Sequence, residues 1–213
     1  MSKTPNTFLD WAYTKRCELL EKIRDNSFKD ESELFIGFTR HTPVMITNGS
    51  AGLNGSVKGF GFVPKPEFID AATQRLVEMI KMGKSASQHD RINALIDVMY
   101  SDNAVKTIDF TKLISLELAR KHTYENVKDS TVPCALVYYE PPMISFEVRG
   151  NVHLETSGKY VTFANVMHDI YHAESTDIKS IPAYVVEIEN IFDNSVRSFG
   201  KEVPTNFDKI GMM

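Results

Sequence analysis

Residues 121–155 read KHTYENVKDSTVPCALVYYEPPMISFEVRGNVHLE, and this stretch decides the fold. Cys134–Tyr139 (CALVYY) is an unbroken β-prone run. The Pro141-Pro142 pair stops it, because proline fixes its own φ and brings no N–H to a ladder. In the next run Ile144, Phe146 and Val148 alternate with Ser145, Glu147 and Arg149, the period-2 pattern of a strand with one buried face. Gly150 interrupts that strand and predicts a bulge or a close approach of another backbone. Upstream, ISLEL at 114–118 alternates as well. A helix over Asp109–Arg120 competes there, since Phe110, Leu113 and Ile114 also fit a 3.6 period. Downstream, residues 157–173 place Tyr160, Val161, Phe163, Ala164, Met167, Ile170 and Tyr171 near one helical face, and AYVVEIENIF at 183–192 alternates again. Strand, long strand, helix and strand with mostly short links predict an α+β chain built on a mainly antiparallel barrel with accessory helices.

Working outward, residues 6–25 read as a helix with Phe8, Leu9, Ala12, Leu19, Leu20 and Ile23 on one face. LFIGF at 34–38 and PVMIT at 43–47 are short strand candidates. The segment NGSAGLNGSVKGFGF, 48–62, carries five glycines and two Asn-Gly steps, which favour a hairpin or a mobile loop. It contains neither GxxxxGKS/T nor GxGxxG, so a phosphate cradle has no motif behind it. Residues 66–101 read as a helical pair, with Pro66 in a first turn, Gly83 at the stop and Ser87 or Asp90 as the second cap.

The chain has 213 residues, which predicts one domain over 1–213 with 66–101 as a helical insertion. Its formal charge is 24 − 28 = −4, which argues against a partner held by phosphate neutralisation, such as nucleic acid. No apolar run approaches the ~20 residues of a membrane helix. The first 17 residues lack the apolar core of a signal peptide. Cys17 and Cys134 fit no zinc spacing and no disulfide framework. A reducing, cytoplasmic setting without nucleic-acid or membrane partners is the expectation.

Taken together, ISLELAR, then Lys121–Asn126 (KHTYEN), then CALVYY, then Glu147-Val148-Arg149-Gly150 resemble the flavin-mononucleotide-binding split barrels of the pyridoxamine-5'-phosphate-oxidase-like superfamily. The resemblance covers roughly residues 107–200, and the helix TFANVMHDIYH and the strand AYVVEIENIFDNS fall where that family keeps its last helix and strand. It implies a split β-barrel, a homodimer, a bound FMN and a small-molecule substrate. The flavin would carry hydride or electrons as an oxidoreductase. The same resemblance carries the phosphate contacts onto Lys121 and Thr123, with Arg120 and Asn126 as further candidates. A phosphate dianion favours charge-assisted and hydroxyl donors of this kind. The alternative for these residues is a solvated basic turn beside a capped helix. No catalytic side chain is assigned.

Some split barrels bind haem instead, so a haem- or small-ligand-binding protein without catalysis is the competing class. Its axial ligand would come from His41, His89, His122, His153, His168 or His172. His168 and His172 are four apart and share a helix face, with Asp169 and Glu174 nearby. H-E-x-x-H is absent and no third ligand is evident, so no metal site is assigned. Arg149 could reach a ligand phosphate or pair with Glu147 or Glu187, and an exposed strand arginine or a cross-strand ion pair is the favoured reading; Glu187 and Glu189 read as a solvated strand face, Cys134 as a buried strand residue and Cys17 as an exposed one.

Overall fold

The computed structural model describes residues 7–172 and 180–205, with Lys84 in its backbone alone. Among the described residues eight strands form one antiparallel sheet: β1 (Val44–Gly49), β2 (Gly52–Val57), β3 (Gly61–Pro64), β4 (Ile108–Leu116), β5 (Val132–Glu140), β6 (Ile144–Glu155), β7 (Ala183–Asp193) and β8 (Lys201–Val203). The order is β2-β1-β5-β6-β7-β4-β3, with β8 pairing on β7. β2 and β3 lie at opposite ends of that order, yet only residues 58–60 separate them. Four residue steps span at most about 14 Å, so the two edges must meet. One bent strand thus supplies both edges and closes the sheet into a barrel. Its first half continues the β1 ladder through the Lys58 N–H to the Pro43 carbonyl (3.1 Å) and the Phe60 N–H to the His41 carbonyl (2.7 Å). The fold is α+β, a split antiparallel barrel with accessory helices.

The glycine-rich segment is therefore a hairpin and a closing strand. The β1–β2 register runs from Val44↔Val57 to Gly49↔Gly52, and Gly52 takes φ +78°, where a side chain would be strained. Only the first Asn-Gly step lies at the turn. Asn54 and Gly55 sit inside β2 opposite Thr47 and Ile46, so the second turn signal is overruled by the ladder. Gly150 does what the sequence predicts. The β6–β7 register shifts between Arg149 and Gly150, and a Cβ there would overlap the Glu187 carbonyl oxygen.

Two further expectations need correction. LFIGF forms helix, not strand: α3 spans Glu31–Thr39. The Asp30 carboxylate accepts from the Ser32 and Glu33 N–H groups, and this N-cap starts a helix that the short apolar run alone does not specify. The helical option over Asp109–Arg120 is overturned, because β4 pairs with β3 on one side and β7 on the other. Two ladders satisfy its backbone and outweigh a local 3.6 period.

The N-terminal helix runs as α1 (Thr7–Leu9), a π-helical turn at Asp10–Thr14 and α2 (Lys15–Arg24). It lays Phe8 and Trp11 against the barrel. Phe8 meets Phe62, Tyr138 and Phe146 edge-on at 5.4–6.4 Å, and Trp11 packs on Tyr138 and Phe146 at 5.6 and 5.2 Å. Each such ring contributes about 1.5–3 kcal/mol by burial. The helical pair is α4 (Ile69–Lys81) and α5 (Gln88–Met99), the latter started by a Ser87–Asp90 capping box. Both pack on α7 (Lys159–His172), and α5 also packs on α2. The insertion thus backs the helices that cover the barrel. A short helix, α6 (His122–Val127), packs on the β1–β2 hairpin. Among the described residues no helix is long and apolar enough to cross a membrane.

Candidate functional site

A cavity of about 630 Å³ lies between the barrel and its helical cover. Its barrel wall is the β2–β3 bend, from Val57 to Phe62, and β4 from Leu113 to Leu116. The cover comes from α2, α3 and α7. On α7 the contributing residues are Phe163, Ala164, Met167, His168, Tyr171 and His172, a stripe at spacings of three and four. On the N-terminal helix Ala12 and Arg16, four apart, face the same space. Most of the lining is apolar, and a few polar groups converge on it: Arg16, Arg40, His41, Lys58, His168 and His172.

Two of the three cations are neutralised. Arg40 makes a bidentate pair with Glu140, at 2.8 Å from Nε and 3.3 Å from Nη2, and Trp11 Nε1 donates to the same carboxylate at 2.8 Å. Lys58 Nζ lies 3.1 Å from Glu117 Oε2 and 4.9 Å from the Tyr184 ring centroid. Glu117 is buried and also accepts from the Tyr184 hydroxyl and the Ala119 and Arg120 N–H groups. Burial alone would raise its pKa. The donors and the Lys58 charge outweigh it and hold the carboxyl below the usual carboxylate range. Burial, with the adjacent Glu117 carboxylate, pushes the Tyr184 phenol well above its ordinary value.

Arg16 is different. It is only 6 % exposed, and among the described residues no carboxylate lies within ion-pair distance. Its Nη2 donates to the Tyr171 hydroxyl at 3.0 Å, and the Tyr100 phenol lies beside it. The guanidinium carbon lies 5.9 Å from the Phe38 ring centroid and 5.7 Å from that of Tyr171. Nη1 is buried and has no hydrogen-bond partner among the described residues. Burial opposes the charge, but the two phenols outweigh it and the guanidinium stays protonated. The neighbouring His41 has its pKa pushed down to about 3, first by burial and then by the Arg16 charge. It is therefore a neutral imidazole at ordinary pH, and its buried Nδ1 is also unpartnered.

His168 and His172 share one face as expected, with ring centroids 4.4 Å apart. His168 Nδ1 lies 3.2 Å from Asp169 Oδ1, which leaves Nε2 as its free nitrogen. Ala173 and Glu174 lie outside the described residues. Among the described residues no cluster of three His, Cys, Asp or Glu side chains could hold a bare metal ion.

The residues carried over for a flavin phosphate sit together beside the β1–β2 hairpin, and none of them lines the cavity. Thr123 is buried, its Oγ1 accepting from Asn54 Nδ2 at 2.7 Å and bonding Ser56 Oγ at 2.9 Å. Asn126 is buried too. Its Nδ2 donates to Thr47 Oγ1 and the Gly52 carbonyl, and its Oδ1 accepts from the Ala51 N–H at 2.7 Å. Both side chains clamp the hairpin. Lys121 is exposed at the start of α6, and Arg120 is exposed at φ +48° with its guanidinium 6.0 Å from the Tyr124 ring. Leu118 and Ala119, just before them, do reach the cavity rim. Arg149 pairs with Glu147 at 2.6 Å on an exposed strand face, and Glu187 and Glu189 are solvated. Cys134 is buried as expected. Cys17 is half-buried rather than exposed: its thiol lies 3.1 Å from the Tyr100 carbonyl oxygen, and burial raises its pKa to about 11.

Sequence reasoning missed Arg16, and it named His41 only as one of six possible haem ligands. A signal for Arg16 was present, since it falls four after Ala12 and three and four before Leu19 and Leu20, within the apolar face of its helix. A charge in that face is buried and needs a reason. His41 follows α3 with no pattern of its own.

A scan against models of known protein families finds no match. No curated protein matches significantly. Among solved structures, the chain is similar to the 1.70 Å crystal structure of HupZ from Group A Streptococcus, carrying V5 and hexahistidine tags. The two are 10% identical over 83% of this chain and 100% of that one, with a TM-score of 0.46.

Proposed function

We propose that this chain is a ligand-binding split barrel of the pyridoxamine-5'-phosphate-oxidase-like kind, and that its cavity holds a planar, largely apolar anion. Haem suits the residues better than FMN. One observation carries the reading: His41, His168, His172 and an arginine with no counter-charge among the described residues line one mostly apolar cavity of about 630 Å³. That volume lies within the range of small-molecule sites. A haem macrocycle calls for apolar walls, a neutral imidazole toward the iron and a cation toward the propionates. Asp169 at Nδ1 of His168 leaves Nε2 for ligation, the arrangement that orients a metal-bound imidazole. Arg16 offers the cation. When bound, haem supplies gas binding or one-electron chemistry, and the protein supplies position and electrostatics. A flavin phosphate at Lys121 would lie outside this cavity, beside a Thr123 and an Asn126 already committed to the hairpin.

The test is a visible titration of the purified protein with haemin and, separately, with FMN. The expected result is a shifted Soret band that saturates near one equivalent and changes position in His168→Ala. Retention of FMN with no haemin shift would return the flavin reading to first place. Retention of neither would remove both cofactors.

A further inference from the structure

We infer that Arg16 and His41 form a recognition site for one carboxylate group of a ligand with an apolar body. The inference rests on the cavity being a ligand site and does not depend on haem. A guanidinium that is 6 % exposed and has no carboxylate partner among the described residues is costly to bury, unless an anion arrives to meet it. The anion's place is marked by two unpartnered buried nitrogens, Arg16 Nη1 and His41 Nδ1, on side chains that both line the cavity. The Phe38 ring lies against both, 5.9 Å from the guanidinium carbon and 5.3 Å from the His41 ring centroid. A carboxylate has two oxygens, and each nitrogen can donate to one of them, with His41 in its Nδ1–H tautomer.

Among the described residues three cations line the cavity; Glu140 and Glu117 pair with Arg40 and Lys58, and Arg16 is the one with no carboxylate beside it. An arriving carboxylate therefore meets a guanidinium that has no other anion. The Phe38 and Tyr171 rings beside the guanidinium, and the Tyr171 bond to Nη2, hold its orientation before any ligand arrives. Such preorganisation favours affinity. The rest of the ligand meets rings and aliphatic groups such as Phe8, Phe62, Tyr138, Phe163 and Met167.

Calorimetry with a matched pair of probes, 2-naphthoate and its neutral isostere 2-naphthamide, tests this at pH 7.5. The wild-type protein should bind the carboxylate at least tenfold more tightly than the amide. In Arg16→Gln the preference should vanish, with the amide affinity within twofold of wild type. If Arg16→Gln does not fold, Arg16→Lys serves, and there the preference should shrink because the flat fork is lost. Equal affinities in the wild type overturn the inference, and so does a preference that survives Arg16→Gln. If neither naphthalene binds while haemin does, this inference falls and the haem reading stands. A carboxylate preference without haemin binding removes haem alone. Binding of none of the three overturns the cavity reading itself.

Discussion

Two buried polar clusters border the same cavity and differ in one respect. Around Glu117, every donor has an acceptor: Lys58, the Tyr184 hydroxyl and two backbone N–H groups converge on one carboxylate. Around Arg16, one guanidinium nitrogen and one imidazole nitrogen have none. The first cluster ties the closing strand, through Lys58, to the end of β4 and to β7, so it works within the fold. The second holds a charge in place without using it. A satisfied buried network specifies a structure, whereas an unsatisfied one is a cost borne for something else.

Mutations can break this comparison. The largest effect is expected at Glu117. Glu117→Ala strands Lys58 and leaves three further donors unpaired, and should lower unfolding free energy by about 3–5 kcal/mol in urea titrations. Arg16→Met, without ligand, should cost much less than Glu117→Ala, because the buried charge leaves together with its unpartnered Nη1 and an apolar chain of similar length remains. Equal losses in both variants would erase the distinction.

Next in size is Asn126→Ala. It removes three hydrogen bonds at the hairpin and should cost about 2–3 kcal/mol. Cavity binding of 2-naphthoate should stay as in wild type, because Asn126 does not line that space. A selective loss of ligand binding would join the hairpin to the site.

The smallest effect sharpens the comparison through pH. His41 has a folded pKa of about 3 against an ordinary 6.5, so below 6.5 the unfolded chain binds a proton that the native state refuses. Stability from this group is complete above pH 6.5 and falls as pH drops toward 3, at about 1.4 kcal/mol per unit. Glu117 acts lower, since a depressed carboxyl contributes above its unfolded value and loses that only in acid. Urea titrations at pH 5 and 6 should therefore show a slope that His41→Gln reduces by about one proton. An unchanged slope would place a different group in that window.

The second half of the fold was legible because its strands carry their own pattern. Residues 144–155 alternate, Gly150 marks the bulge, and the helix after it keeps a 3.6 period. The first half was less legible for physical reasons. The 34–38 run is too short for periodicity to arbitrate, and the N-cap at Asp30 decided it. Barrel closure by residues 52–64 is a long-range fact, expressed in pairings to β1 on one side and β4 on the other. The cavity was legible only in part. His168 and His172 follow from helical spacing, whereas Arg16 meets Tyr171 across 155 positions of sequence and shares a cavity with His41 across 25. Such meetings are made by the tertiary structure alone.

The bent strand at 52–64 has one more consequence. An open sheet presents two rows of unpaired amides and carbonyls, each a template on which another chain can grow. Here both margins belong to one covalent segment, with β2 laddered to β1 and β3 to β4. A protease cut near Gly59 would sever that tether and let the two borders part, turning a closed barrel into an open sheet. Limited proteolysis at that bend is thus the point at which this protein passes most directly from a closed fold toward strand-mediated aggregation.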